Sequence, residues 1–260
     1  MARAPVQIYG NTYYVGTNGL SAILVTSPEG HVLIDGALNE SAPLIEANVE
    51  ALGFRMDDVK FILSSHAHFD HAGGIAALQQ ASGAEVAASP SSAAVLEAGA
   101  PGPDDPQYAE LLPVPMVPVR DVRVLADGET VRVGPLALTA HFTPGHTAGG
   151  TTWTWTSCAG GRCLRMVYAD SLTPVSEEGY RFSQSERYPS ILTDFERSYT
   201  VVEALACDVL LTPHPESSGL FERVEARAQG DEDALVDPTA CSRYADAARR
   251  RLAQRLESER

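Results

Sequence analysis

The segment VKFILSSHAHFDHAGG, residues 59–74, constrains this chain more than any other. An apolar, strand-like run leads straight into His66, His68, Asp70 and His71, three histidines and an aspartate within six positions of a chain that holds only seven histidines. A strand ending in such a cluster predicts side chains gathered on a rigid base, because loops at strand ends are held by the sheet beneath them. Imidazole and carboxylate without thiolate suit zinc, iron or manganese rather than a structural zinc–cysteine site. Alternation along an extended segment puts His66, His68 and Asp70 on one side and sends His71, after the turn, elsewhere. The cluster therefore has room for two neighbouring metal positions.

Two further histidines sit in similar contexts. His146 lies in FTPGHTAGG, after a strand and beside a Pro-Gly turn. His214 lies in LLTPHPE, again at a strand end. Five of the seven histidines thus follow apolar strands, and strand ends that converge would bring five imidazoles and Asp70 to one edge of the fold. The remaining two are His31 and His141; His141, inside a strand, reads as structural.

The organisation of the chain supports this. TYYVG, LSAILVTS and HVLIDG read as an antiparallel meander. A helix is expected from about Ser41, with Ser41 as its N-cap, Pro43 in the first turn and Gly53 as its stop. VKFILSS is a buried strand and AGGIAALQQA a helix. Residues 99–118, GAPGPDDPQYAELLPVPMVP, carry six prolines and read as a long loop of the kind that borders functional clefts; Gln107 is its candidate substrate contact. Strands return in VRVG, LALTAHFT, TTWTWTS and LRMVYAD. Residues 190–206 read as a helix, CDVLLT as a strand, and 241–258 as an amphipathic, arginine-rich helix. Each half runs strands, helix, strand, which predicts an α/β fold: an αββα sandwich of two mixed sheets with helices on the outer faces. No interdomain linker is evident, so residues 1–260 are expected to form one domain.

Charge and cysteines narrow the setting. The formal net charge is −15, from 19 basic and 34 acidic side chains, a field that repels nucleic acid and anionic membrane surfaces. No run of about 18 apolar residues is present to span a membrane, and the N-terminus has no apolar segment of signal-peptide type. The sole lysine is Lys60. The four cysteines lie away from the histidines in sequence. Cys158 and Cys163 flank AGGR, a hairpin turn that a disulfide can cross, and Cys207 and Cys241 would then tie the last strand to the last helix. That pairing favours an oxidising compartment, periplasmic or secreted; four free thiols in a cytosolic protein are the alternative.

HAHFDH resembles the His-x-His-x-Asp-His signature of the metallo-β-lactamase superfamily. VLIDGA, ending near Asp35, resembles its early strand, and TPGHTAGG, YADS and LLTPHP its later motifs. The likeness runs from about Tyr9 to the C-terminal helix and is strongest to subclass B3, where a serine follows the YAD aspartate. The resemblance implies a zinc-dependent β-lactamase with two Zn2+ per chain: His66, His68 and His146 at the first, Asp70, His71 and His214 at the second. It further implies that Ser171 and Thr173 bind the substrate carboxylate, that Asp35 orients a ligand histidine, and that Cys207 pairs with Cys241. In such enzymes a water shared by two metals about 3.5–4 Å apart attacks the lactam carbonyl, with Asp70 placed to orient it. A small-molecule β-lactam substrate (penicillin, cephalosporin or carbapenem) and a monomer are the implied partners and state.

Two rival readings share the fold. A lactonase or glyoxalase-II-like thioesterase would use an aspartate bridging two metals, a place that Asp170 in YADSL offers. An iron-dependent oxidoreductase would need a mononuclear site, leaving Asp70 and His71 partly idle. A serine β-lactamase is excluded, since no Ser-x-x-Lys motif exists.

Overall fold

A computed structural model describes residues 1–260, with two sheets and helices on both outer faces. The first sheet has seven strands in sequential order: β1 (Val6–Tyr9), β2 (Thr12–Tyr14), β3 (Ile23–Val25), β4 (His31–Ile34), β5 (Val59–Leu63), β6 (Glu85–Ala88) and β7 (Arg123–Val124). Strands β1 to β4 form the antiparallel meander, and β4 to β7 run parallel. The second sheet has five, in the order β12-β11-β10-β9-β8: β8 (Thr130–Val133), β9 (Leu136–Phe142), β10 (Thr151–Ala159), β11 (Arg162–Tyr168) and β12 (Val209–Leu211). Only the β11–β12 pair is parallel there. The sheets are mixed, as expected from the sequence.

Helices α1 (Ala42–Ala51), α2 (Phe69–Ala72), α3 (Ile75–Ser82), α4 (Pro90–Ala98) and α5 (Tyr108–Leu111) belong to the first half of the chain, and α6 (Ile191–Ala204), α7 (Leu220–Ala228) and α8 (Ala240–Ser258) to the second. Side-chain alternation divides the core into three layers. Ile23, Val25, Val32 and Ile34 pack between the sheets with Trp153, Met166, Tyr168 and Leu211. Leu24 and Leu33, on the other face of the same strands, pack with α1 and α3. Val167 and Leu210 face α6 and α8. The strands are mainly apolar along their buried length, and the histidine cluster begins where β5 ends.

Several local expectations change. Ser41 stands at the N-cap of α1 as expected, but it also closes a 3-10 turn, Asn39–Ser41, and its side chain makes no capping bond. Helix α4 is absent from the sequence reading although Ser89 caps it by accepting from Ser92 N–H, Pro90 starts it and Gly99 ends it at φ 66°, all standard signals. Strands β1, β6 and β7 and helix α7 are likewise additions. The 99–118 loop contains the single turn α5. Both disulfides form: Cys158–Cys163 across the β10–β11 hairpin, where the two residues are direct cross-strand partners, and Cys207–Cys241 between the start of β12 and α8.

Candidate metal centre

The cluster sits where β5 leaves the first sheet and meets the second. Ser65 donates to Asp35 through both its N–H and its hydroxyl, each at 2.7 Å. Its carbonyl accepts from Thr151 N–H of β10 at 2.8 Å, and the Trp153 indole donates to the Ser64 carbonyl at 3.1 Å. The segment entering His66 is thus bolted to both sheets.

Helix α2 then begins at Phe69 with His68 in extended backbone just before it. This turn corrects the alternation argument. Helical geometry from Phe69 onward rotates Asp70 away from His66 and His68 and puts it beside His71. The turn packs onto the residues after β4: Gly36 N–H donates to the His71 carbonyl at 2.7 Å and Gly74 N–H to the Ala37 carbonyl at 3.2 Å. A Cβ on Gly74 would lie 2.3 Å from the Gly36 carbonyl oxygen, so only glycine permits the approach. Asp35 and Ala37 both hold positive φ, 61° and 53°, a conformation uncommon outside glycine.

Two groups of ligand atoms result, each lying within 4.8 Å of one another: His66, His68 and His146 in one, Asp70, His71 and His214 in the other. In the first, the ring centroids stand 4.8 Å (His66–His68), 5.0 Å (His66–His146) and 5.0 Å (His68–His146) apart, a nearly equilateral cup. In the second, Nε2 of His71 lies 3.2 Å from Nε2 of His214 and 3.2 Å from Oδ2 of Asp70, with 3.7 Å closing the triangle. Those edges match the roughly 3.3 Å ligand spacing of a tetrahedral ion bound at about 2.0–2.1 Å. The His66 and His71 rings, 4.4 Å apart, join the two groups. The first group is buried. The second opens to solvent, the His214 side chain being 40% and Asp70 25% exposed.

Each ring of the first group has its other nitrogen fixed. His66 Nδ1 lies 2.7 Å from Oδ1 of Asp170, His68 Nε2 lies 2.9 Å from Oδ2 of Asp105, and His146 Nδ1 donates to the Thr173 carbonyl at 2.9 Å. That pattern leaves one nitrogen of each ring for the centre of the cup, as in metal sites whose outer partners set the tautomer. His66 Nε2 is buried with no hydrogen-bond partner. The lone pairs that these three rings turn toward one another repel unless a cation lies among them. The donor set therefore fits metal ions.

Burial, then the neighbouring imidazoles, push His66 well below the usual histidine range. Burial and His68 bring His146 down to about 3, and burial then His71 lower His214. These rings are neutral at pH 7, the form that binds metal. Burial raises Asp70, but its close contact with His71 outweighs that and holds the carboxyl below its ordinary range. Burial pushes Asp170 and Asp35 up.

Asp35 does not reach a ligand histidine. Its carboxylate accepts from Ser65 and, at 2.7 Å, from the Tyr168 hydroxyl, so it braces the cluster's entry segment rather than a ring. The ring partners are Asp170 and Asp105. In the sequence Asp170 is legible only as a possible metal bridge, and Asp105 not at all; an acidic residue in a Pro-rich loop has no spacing signal that pairs it with a histidine 37 positions away. Gln107 lies at the start of α5, where its N–H donates to Asp105 Oδ1 at 2.8 Å and its side chain makes no bond within the protein. Ser171 is a buried residue whose hydroxyl is also without an internal partner. His141 bonds Thr154 at 2.9 Å and joins neither group.

A family model described as the metallo-β-lactamase superfamily matches residues 15–157. The chain belongs to that superfamily. Solved structures place it among its subclass B3 enzymes, hydrolases of β-lactams. The Rm3 metallo-β-lactamase is 58% identical, with a TM-score of 0.96 over 99% of this chain and 95% of its own. MEM-A1, a subclass B3 metallo-β-lactamase from a soil metagenome library, is 48% identical with a TM-score of 0.96, over 99% of this chain and 97% of its own. SMB-1, solved with 2-mercaptoethanesulfonate, is 46% identical with a TM-score of 0.95, over 100% and 98%. The metallo-β-lactamase assignment thus rests on whole-chain similarity as well as on the site.

Proposed function

We propose that this metallo-β-lactamase is a two-zinc enzyme that hydrolyses the lactam amide of penicillins, cephalosporins and carbapenems. The observation that carries the reading is the pair of three-donor groups joined at His66 and His71. His66, His68 and His146 would hold one ion, and Asp70, His71 and His214 the other. Bound zinc supplies Lewis acidity, making water nucleophilic near neutral pH and drawing charge from the breaking amide.

The chain's own residues do the rest. Asp170, Asp105 and the Thr173 carbonyl hold the rings so that little reorganisation accompanies reaction. Asp70 commits Oδ2 to its group; its Oδ1 would accept a hydrogen bond from the attacking water and aim it. The hydroxyls of Ser171 and Thr173, with Gln107 on the facing loop, receive the substrate carboxylate. The only lysine, Lys60, lies near the start of β5, whereas the site lies beyond its other end, so lysine does not serve that carboxylate.

Asp170 argues against the lactonase or thioesterase alternative. Its Oδ1 is engaged by His66, and it belongs to neither donor group. The core that joins both sheets supports reading residues 1–260 as one domain, and two disulfides support an exported enzyme. Metal analysis of the purified chain, with rates on one substrate of each β-lactam class beside a lactone and a thioester, tests the proposal. Two zinc per chain and β-lactam turnover are expected, and His146→Ala or His214→Ala should each lose one zinc and most turnover. Lactone or thioester turnover alone would overturn it.

A further inference from the structure

We propose that Asp105 is a positioning residue for the first metal. Carried on the 99–118 loop, it turns His68 Nδ1 into the cup and so couples the order of that loop to metal occupancy. The inference rests on the two-zinc reading above.

The geometry is specific. The 2.9 Å bond between His68 Nε2 and Asp105 Oδ2 joins two buried side chains. It is the only hydrogen bond from the loop to either donor group. A carboxylate accepting Nε2–H fixes the imidazole tautomer and makes the opposite nitrogen a better donor. The second oxygen of Asp105 is used as well: Oδ1 accepts from Gln107 N–H, and the Asp105 carbonyl accepts from Tyr108 N–H at 3.1 Å. Asp105 therefore both holds the ring and starts the α5 turn.

Little else presses this part of the loop into place from below. A cavity of about 270 Å³ lies between residues 102–105, α4 and residues 147–149, reaching His68 itself. On the outer side the loop is tied to Glu177, whose N–H donates to the Pro106 carbonyl at 2.9 Å and whose carboxylate accepts from Ala109 N–H. Glu177 lies four residues beyond Thr173, whose carbonyl holds His146. Both walls of the cleft are thus linked to each other, and each steadies one ring of the same cup. By reciprocity, a metal that favours the held His68 ring must also favour the ordered loop.

The test compares the full-length wild type with Asp105→Ala and Asp105→Asn. Zinc affinity is measured by competition with a chromophoric chelator, and amide hydrogen exchange of residues 105–112 with and without zinc. Asp105→Ala should bind the first zinc about 10- to 100-fold more weakly, and zinc should no longer slow exchange in the loop. Asp105→Asn keeps an accepting oxygen and should recover much of both effects. Circular dichroism and melting of the metal-free variants confirm that the fold is intact. Unchanged zinc affinity in a folded Asp105→Ala, or loop exchange slowed by zinc as in the wild type, would overturn the assignment while leaving the two-zinc reading in place. A wild type that takes up no zinc would overturn both.

Discussion

Nδ1 of His66 lies 2.7 Å from Oδ1 of Asp170, and both side chains are fully buried. The contact needs Gly150, where a Cβ would stand 2.6 Å from the other Asp170 oxygen. It makes Asp170 a brace for the first donor group rather than a member of either. Asp170→Asn preserves shape and an accepting oxygen, so it should retain two zinc per chain by metal analysis while turnover falls by about 10- to 100-fold. An Asn variant stripped of both ions would mean that Asp170 itself bridges metals.

Ser171 tests substrate recognition. The residue is buried and its hydroxyl has no internal hydrogen bond, which leaves it free for a carboxylate remote from the scissile bond. Ser171→Ala should raise KM roughly tenfold, about 1.4 kcal/mol, with kcat little changed. Steady-state kinetics on a cephalosporin checks this, and a pure kcat loss would remove Ser171 from the binding role.

The two disulfides close loops of different length, with sequence separations of 34 for Cys207–Cys241 and 5 for Cys158–Cys163. Chain-entropy arguments give about 4 kcal/mol for the longer and about 2 kcal/mol for the shorter. Denaturant unfolding of the paired Cys→Ser variants should show the larger loss for Cys207–Cys241. Equal stability of both variants with the wild type would contradict this.

At the far end of α8, Glu259 fastens the Phe182–Gln184 turn. Its carboxylate accepts from Phe182 N–H at 3.0 Å, Ser183 N–H at 2.9 Å and Arg255 Nε at 3.0 Å. Burial raises the group, yet the bonds from Ser183, Phe182 and Arg255 prevail and bring it from 4.5 to about 2. A carboxyl lowered on folding stabilises above its unfolded value and loses that contribution as pH falls through the folded one. Glu259→Gln should therefore be less stable at pH 7 by about 1 kcal/mol, allowing for solvent on its outer side. The difference should shrink between pH 4.5 and 2 in melting curves.

Much of this site is legible in the amino-acid sequence because it is built at strand ends. His66, His68 and His71 share one short segment, and His146 and His214 each follow an apolar run, so local patterning locates all five. Asp70 is legible as a ligand, but its partners are not: extended-chain alternation groups it with His66, and one helical turn beginning at Phe69 reverses that. The residues that orient the rings are hidden for a different reason. Asp170 reaches His66 across 104 positions and Asp105 reaches His68 across 37, and such pairings depend on how two sheets and a Pro-rich loop come together. Asp35 misleads because a strand-end carboxylate beside a histidine cluster has two possible targets, and Ser65 and Tyr168 claim it. In the fold, the strands–helix–strand order of each half announces the layered sandwich, whereas α4 goes unread despite its Ser-Pro start and glycine stop.

The most direct test of the two-zinc account is carbapenem hydrolysis by metal-analysed protein, followed by loss of ultraviolet absorbance, before and after chelation and again after zinc is returned. The account predicts turnover that disappears with the chelator and comes back with zinc. Turnover that survives complete removal of metal, or its absence in protein carrying two zinc ions, would contradict it.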